Sequence, residues 1–357
     1  MKLRKLLASL PFCAVVGVLT AQSSDFVATK PTLDIVSKSV EKPMTGNNAV
    51  KSDGEKPSKK SKKSDKPTPA VKSPFRLVSN DVTIQNAKKL NGNEDDFSPI
   101  FFENGLLYCS NSRKVTKKED KKDHDLNLKY AAFDSLGNFE KPTSFGHRTN
   151  SKTHEGPSCF NAKGDTMFLT RVTSKGGIVK LNKEGETTLK IYIKHRDTDG
   201  NFVGEEILPF ESETSSYCHP TLAVDGRTLY FASNMPGGFG GMDLWKSRLL
   251  KDGTWSQPIN LGARVNSAKN ELFPFISEKG MLYFASNGQK NCKGGLDLYH
   301  VDIENRTSRA YPMGEPFNTE GDDFGLMFLP KSTKKGYFSS NRQGGSGGDD
   351  IYEFEFN

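Results

Sequence analysis

Seven side chains have the types and spacing to act together: Asp95, Asp96, Glu155, His219, Glu271, Asp322 and Asp323. Each stands shortly before the anchor of a recurring pattern, a proline at Pro99, Pro157, Pro220 and Pro274. In four of the five copies of that pattern a carboxylate lies two to four positions ahead of the anchor. Gathered round one axis, these carboxylates would form a collar able to hold a cation or bind a cationic or hydroxyl-rich ligand. Two of them about 5–10 Å apart would also suit glycoside hydrolysis. The other reading is that each accepts backbone N–H bonds within its own turn, and recurrence with the repeat favours it. Asp243, Asp297 and Asp350, in the Gly-rich segments Gly237–Arg248, Gly294–Asp302 and Gly344–Glu355, carry the same choice between calcium ligand and turn acceptor.

The elements that must position these residues come from the repeat itself, which spans Asp95–Asn111, His154–Arg171, Ser216–Asn234, Glu271–Asn287 and Asp322–Asn341. Successive prolines are 58, 63 and 54 residues apart, and Gly325 stands in place of the proline 51 residues further on. Each copy reads as a short strand, a hairpin turn with a glycine (Gly105, Gly164, Gly226, Gly280 or Gly336) and a second strand. Turn glycine supplies the positive φ of a tight hairpin. A Gly-rich loop, a third strand, a polar turn and a fourth strand such as Trp255–Leu261 follow. Four short strands in each of five copies predict an all-β fold, a single five-bladed β-propeller over residues 79–357. The last copy stops at Asn357 after its third strand, while Val82–Pro99 parallels Ile259–Pro274. A strand near Asp81–Ala87 is therefore expected to complete blade five and remove its open edge.

The run Asp252–Tyr299 resembles the WD-type repeats of TolB-like propellers, in the form found in outer-membrane-associated proteins of Bacteroidota. There such propellers often precede an OmpA-like peptidoglycan-binding domain, one of them linked to type IX secretion. The resemblance covers about residues 79–357 and is close for copies three to five; copies one and two lack the GGxD segment and carry longer charged loops. It implies a propeller of the cell envelope. Because the chain ends at its propeller, peptidoglycan anchoring through a further domain is not implied.

A net charge of +7 would ordinarily suggest nucleic acid or an anionic surface. The charge is uneven, however: +3 on residues 1–21 and +5 on residues 51–73, which leaves −1 on residues 74–357. Met1–Lys5 and the apolar Leu6–Thr20 read as a secretory signal with cleavage after Ala21. Residues 22–78 read as a disordered Lys/Ser/Pro-rich tether, either a plain spacer or a strip that meets an anionic envelope polymer. Export makes nucleic acid an improbable partner and allows Cys109, Cys159, Cys218 and Cys292 to be disulfides or isolated thiols. No cofactor is expected, calcium being the one ion the collar would suit. Repeating carboxylates, the absence of a GxSxG elbow and histidines without a triad context point away from an enzyme. The expected function is a non-enzymatic interaction scaffold of the periplasm or outer membrane, its partner another envelope protein. The long loops Asn111–Asp125 and Arg171–Thr188 are the candidate contacts. The alternative is a glycan-binding or glycoside-hydrolysing propeller using the collar.

Overall fold

Central strands that are buried on both faces, such as Gly105–Ser110 and Lys335–Ser340, can exist only with a sheet neighbour on each side. The computed structural model describes residues 81–111, 126–146, 149–150 and 153–357, except 176, 177 and 184. The signal, the tether and most of the loop Asn111–Asp125 lie outside these described residues.

Strand β1 is Val82–Asn86; blade one follows with β2 (Asp96–Phe102), β3 (Gly105–Ser110), β4 (Asn127–Ala132) and β5 (Thr143–Ser144). Blade two holds β6 (Glu155–Phe160) and β7 (Thr166–Val172), a small hairpin of β8 (Ser174–Lys175) and β9 (Ile178–Val179), then β10 (Leu189–Arg196) and β11 (Phe202–Ile207). Blade three is β12 (Tyr217–Leu222), β13 (Thr228–Ser233), β14 (Asp243–Arg248) and β15 (Ile259–Asn260). Blade four is β16 (Glu271–Ile276), β17 (Met281–Ser286), β18 (Asp297–Asp302) and β19 (Tyr311–Pro312). Blade five is β20 (Asp323–Phe328), β21 (Lys335–Ser340) and β22 (Asp350–Phe356). Its fourth strand is β1, antiparallel to β22 with Val82 opposite Phe356 and Asn86 opposite Tyr352. The protein is thus a five-bladed β-propeller closed by its N-terminal strand.

Three local features differ from the sequence reading. Gly325 takes the place of the residue before the proline, not of the proline: it shares positive φ with Ser98, His219 and Phe273, and Leu326 lines the axis as the prolines do. Gly105 and Gly336 are not turn residues. They lie in strands where a Cβ would meet Ala131 O at 2.2 Å and Met327 O at 2.1 Å, so close approach across the sheet requires them. The outermost strands are also shorter than expected, β15 covering only Ile259–Asn260.

Each innermost strand is bulged at the anchor, as between Phe97 and Ile100 or Phe324 and Met327. The bulges turn the prolines onto the axis, where a cavity of only about 30 Å³ remains among Pro99, Pro157, Pro220, Pro274 and Leu326. Phenylalanines fill the wedge between blades: the rings of Phe97 and Phe273 lie 6.0 and 4.7 Å from Phe324. The four cysteines Cys109, Cys159, Cys218 and Cys292 are free thiols, and burial pushes Cys292 up to about 12.

Deleting residues 81–91 removes Val82, Ile84 and Leu90 from the core and uncovers the edge of β22. The expected loss is about 3 kcal/mol or more in urea unfolding, with self-association on gel filtration. Unchanged stability would exclude ring closure by β1.

Candidate functional site

In a four-stranded blade the loop into the innermost strand and the loop between its second and third strands fall on one face. That face carries the collar. Asp96 is wholly buried and accepts the N–H of Gly92 at 2.6 Å. Glu271 does the same for Ser267 at 2.8 Å and takes the Ser286 hydroxyl at 2.7 Å. Asp323 accepts Thr319 N–H and the Ser340 hydroxyl, both at 2.6 Å, and pairs with Arg342 at 2.8 Å. Burial raises the Asp96 and Glu271 carboxyls, and these hydrogen bonds work against the rise.

Asp95 and Asp322 bridge between blades instead. Asp95 accepts the N–H of Asp349 at 3.1 Å and the side-chain amide of Asn111 at 2.8 Å. Asp322 accepts the N–H of Leu296 at 2.7 Å. His219 lies deeper, on the channel wall; its Nδ1 accepts the N–H of Phe273 at 3.2 Å and its ring stacks 3.8 Å from that of Phe273. Asp243 accepts Phe239 N–H at 2.6 Å, Asp297 accepts Lys293 and Gly294 N–H, and Asp350 accepts Ser346 and Gly347 N–H. The structure therefore brings the singled-out carboxylates to one face; Asp96, Asp243, Glu271, Asp297, Asp323 and Asp350 each accept backbone N–H bonds of their own turns, and Asp95 and Asp322 tie neighbouring blades. No cluster of three or more His, Cys, Asp or Glu suited to a metal ion occurs among the described residues.

Blade two departs from this pattern. At the start of the third strand, where blades three to five have Asp243, Asp297 and Asp350 opposite a serine, it has Lys190 opposite Arg171. Glu155 is paired with Arg171 as Asp96 is with Ser110. Instead of accepting from a Gly-rich loop, Lys190 donates to the carbonyls of Ser212 and, at 2.7 Å, Ser215, with its ammonium 4.9 Å over the Tyr217 ring. Arg171 stacks 4.0 Å from the Tyr192 ring centroid and pairs with Glu205 at 2.9 Å.

Beside Lys190, the connection that carries the β8–β9 hairpin faces the segment 208–216. Between them opens a cleft of about 320 Å³, lined among others by Thr173, Thr188, Lys190, Tyr192 and Glu211. Glu211 Oε1 accepts the N–H of Ile191 at 3.1 Å, while Oε2 is buried with no hydrogen-bond partner. Burial pushes Glu211 up to about 8, against the pull of the Ile191 N–H and Lys190. Burial also lowers Lys190, but two carbonyl acceptors hold its ammonium form, so at neutral pH Glu211 is the uncharged partner. A protonated carboxyl beside an ammonium, hydroxyls and an aromatic ring can donate, accept and stack within one cleft.

Sequence reasoning placed Arg171–Thr188 on this face as a contact loop but missed Lys190, Tyr192 and Glu211. The available signal was the lost GGxD segment in copy two, which the long insertion separates from Lys190.

Comparison of the sequence with protein families and with curated proteins finds no match. Among solved structures, the chain is similar to an alpha-L-arabinofuranosidase from Lactobacillus brevis (9% identity, 73% of this chain and 91% of that one, TM-score 0.47). It is similar to an endo-arabinase from Bacteroides thetaiotaomicron (11%, 75% and 95%, TM-score 0.46) and to a putative TolB from Agrobacterium tumefaciens (12%, 72% and 76%, TM-score 0.43). Resemblance of this order transfers no activity. The expectation that the chain is not an enzyme is nevertheless withdrawn. Glycoside hydrolases stand among its structural neighbours, and the ground for excluding catalysis, a face with only repeating residues, fails at blade two.

Two outcomes separate structural from ligand-binding roles on this face. Asp323→Ala removes the ion pair with Arg342 and the acceptor of the Thr319 N–H and the Ser340 hydroxyl, and should cost about 3 kcal/mol in urea unfolding; an unaltered unfolding curve would show the carboxylate free of the turn. Burial lowers His219 to about 3, whereas an unfolded imidazole titrates near 6.5. Between those values the unfolded chain binds the extra proton, so stability falls as pH falls. Asp349, raised to about 7, and Glu211 act with opposite sign, losing stability as pH rises through their folded values. His219→Asn, which tolerates positive φ, should flatten the acid limb between pH 6 and 4. An unchanged slope would assign that limb to other groups.

Proposed function

We propose that the protein is an exported, glycan-recognising β-propeller whose ligand occupies the blade-two cleft. The observation that carries this reading is Lys190 at the position where blades three to five have the turn-closing aspartate, beside a cleft of about 320 Å³ in blade two. Hydroxyl-rich ligands call for donors, acceptors and an aromatic surface in one place, which Thr173, Thr188, Glu211 and Tyr192 supply. The cleft is near the lower end of the ~300–1,000 Å³ range of small-ligand sites, suited to one or two sugar rings. Burial favours the protonated form of Glu211, one of the two carboxyl groups that glycoside hydrolysis requires, so turnover is tested alongside binding.

A second reading rests on a separate observation. Ile178, Val179, Leu181 and Ile207 are exposed on the hairpin and strand that border the cleft, Ile178 by 75%. Such an apolar rim on the loop face supports contact with another envelope protein.

Calorimetric titration of the full chain with a panel of neutral and acidic oligosaccharides tests the first reading, alongside a reducing-end assay. Binding or turnover should fall at least about tenfold in Glu211→Gln and Thr188→Val. A panel without a single ligand for the wild-type chain would overturn it. Under the second reading, crosslinking in envelope recovers one partner with the wild type and loses it with Ile178→Lys.

A further inference from the structure

We infer that the blade-two cleft selects acidic saccharides, whose carboxylate or phosphate would sit among Lys180, Lys183 and Lys190; this rests on the glycan reading of the same cleft. Three lysines line the cleft against two carboxyl groups, Glu211 and Glu213. Glu213 is turned to Lys180 at 3.3 Å, an exposed pair that a ligand can exchange at little cost. Oε1 of Glu211 accepts the Ile191 N–H, its Oε2 is buried, and burial favours the protonated form, so this group brings little negative charge to the cleft.

The layer beneath reinforces the sign. Arg171, Lys190 and Lys194 are all buried in blade two. The carboxylates within electrostatic range of Lys194 and Arg171 are the buried Glu155 and the largely exposed Glu205, the latter already paired with Arg171. No comparable concentration of buried cations occurs in the other blades among the described residues, whose buried charges are mainly Asp96, Asp243, Glu271, Asp297, Asp323 and Asp350. A positive cleft in a body whose net charge over residues 74–357 is −1 marks a site for an anion. Its hydroxyls and the Tyr192 edge provide the contacts a sugar ring needs and a bare anion lacks. A carboxylate on the ring would gain charge-assisted bonds to the lysines that a neutral sugar cannot make.

The test titrates the full chain with tri-galacturonate, with its neutral counterpart galactotriose, and with inorganic phosphate. Tri-galacturonate should bind about tenfold or more tightly than galactotriose. Lys183→Gln, on an exposed residue, and Lys180→Gln should each remove several-fold of that preference. Equal affinity for both sugars overturns the charge selection and leaves the glycan reading standing. Failure of both sugars to bind overturns the two together. Phosphate competing as well as tri-galacturonate would show a plain anion site and overturn the saccharide claim.

Discussion

The ring depends on one recurring interaction, the hand-over from the third strand of a blade to the innermost strand of the next. The backbone half is one hydrogen bond per joint, such as Asp96 N–H to Asp349 O at 2.7 Å, Glu271 N–H to Met242 O at 2.7 Å and Asp323 N–H to Leu296 O at 2.6 Å. The side-chain half returns a bond from the residue before: Asp95 to Asp349 N–H, Asn270 to Met242 N–H, Asp322 to Leu296 N–H, and in blades two and three His154 to Leu126 N–H and Ser216 to Leu189 N–H. Each joint ties two sheets whose facing surfaces are phenylalanine and leucine, which pack but do not by themselves set an angle. The polar joint fixes the register of the wedge. Polar atoms that fix the joints are thereby drawn to the face where a ligand would approach.

That constraint explains what the sequence disclosed. Blade number, the closing strand and the carboxylates' common face follow from a pattern imposed at every joint, and copies three to five state it almost identically. The same regularity hid the chemistry. Asp96, Glu271 and Asp323 resemble a ligand collar because a buried carboxylate that accepts N–H bonds and one that binds substrate look alike in a sequence. Gly325 was assigned to the wrong column because a bulge needs positive φ from the residue before the anchor, a demand that Ser98, His219 and Phe273 meet without glycine. Gly105 and Gly336 were given to turns although close strand approach requires them.

Blade two is where sequence alignment loses its footing, and the physical reason is electrostatic. Burying Arg171 and Lys190 in place of serine and aspartate, with Lys194 further along the same strand, carries a desolvation cost that their partners recover only with good geometry. A Ser–Asp pair closes the equivalent turn in three other blades with fewer buried cations. Stability therefore gives no reason for the exchange, since the simpler solution is present in the same chain. What the lysine does that the aspartate cannot is reverse the polarity of the turn. Asp243, Asp297 and Asp350 draw amides of a Gly-rich loop inward and close the face; Lys190 draws the carbonyls of Ser212 and Ser215 instead. The longer connection of blade two carries the separate β8–β9 hairpin, and a cleft with Glu211 and Tyr192 in its wall lies beside it. The joint itself stays intact through Ser216 and Leu189 N–H, and the charge reversal stands beside a cavity instead of a closed turn; a costly buried charge retained there is best accounted for by what the cavity holds.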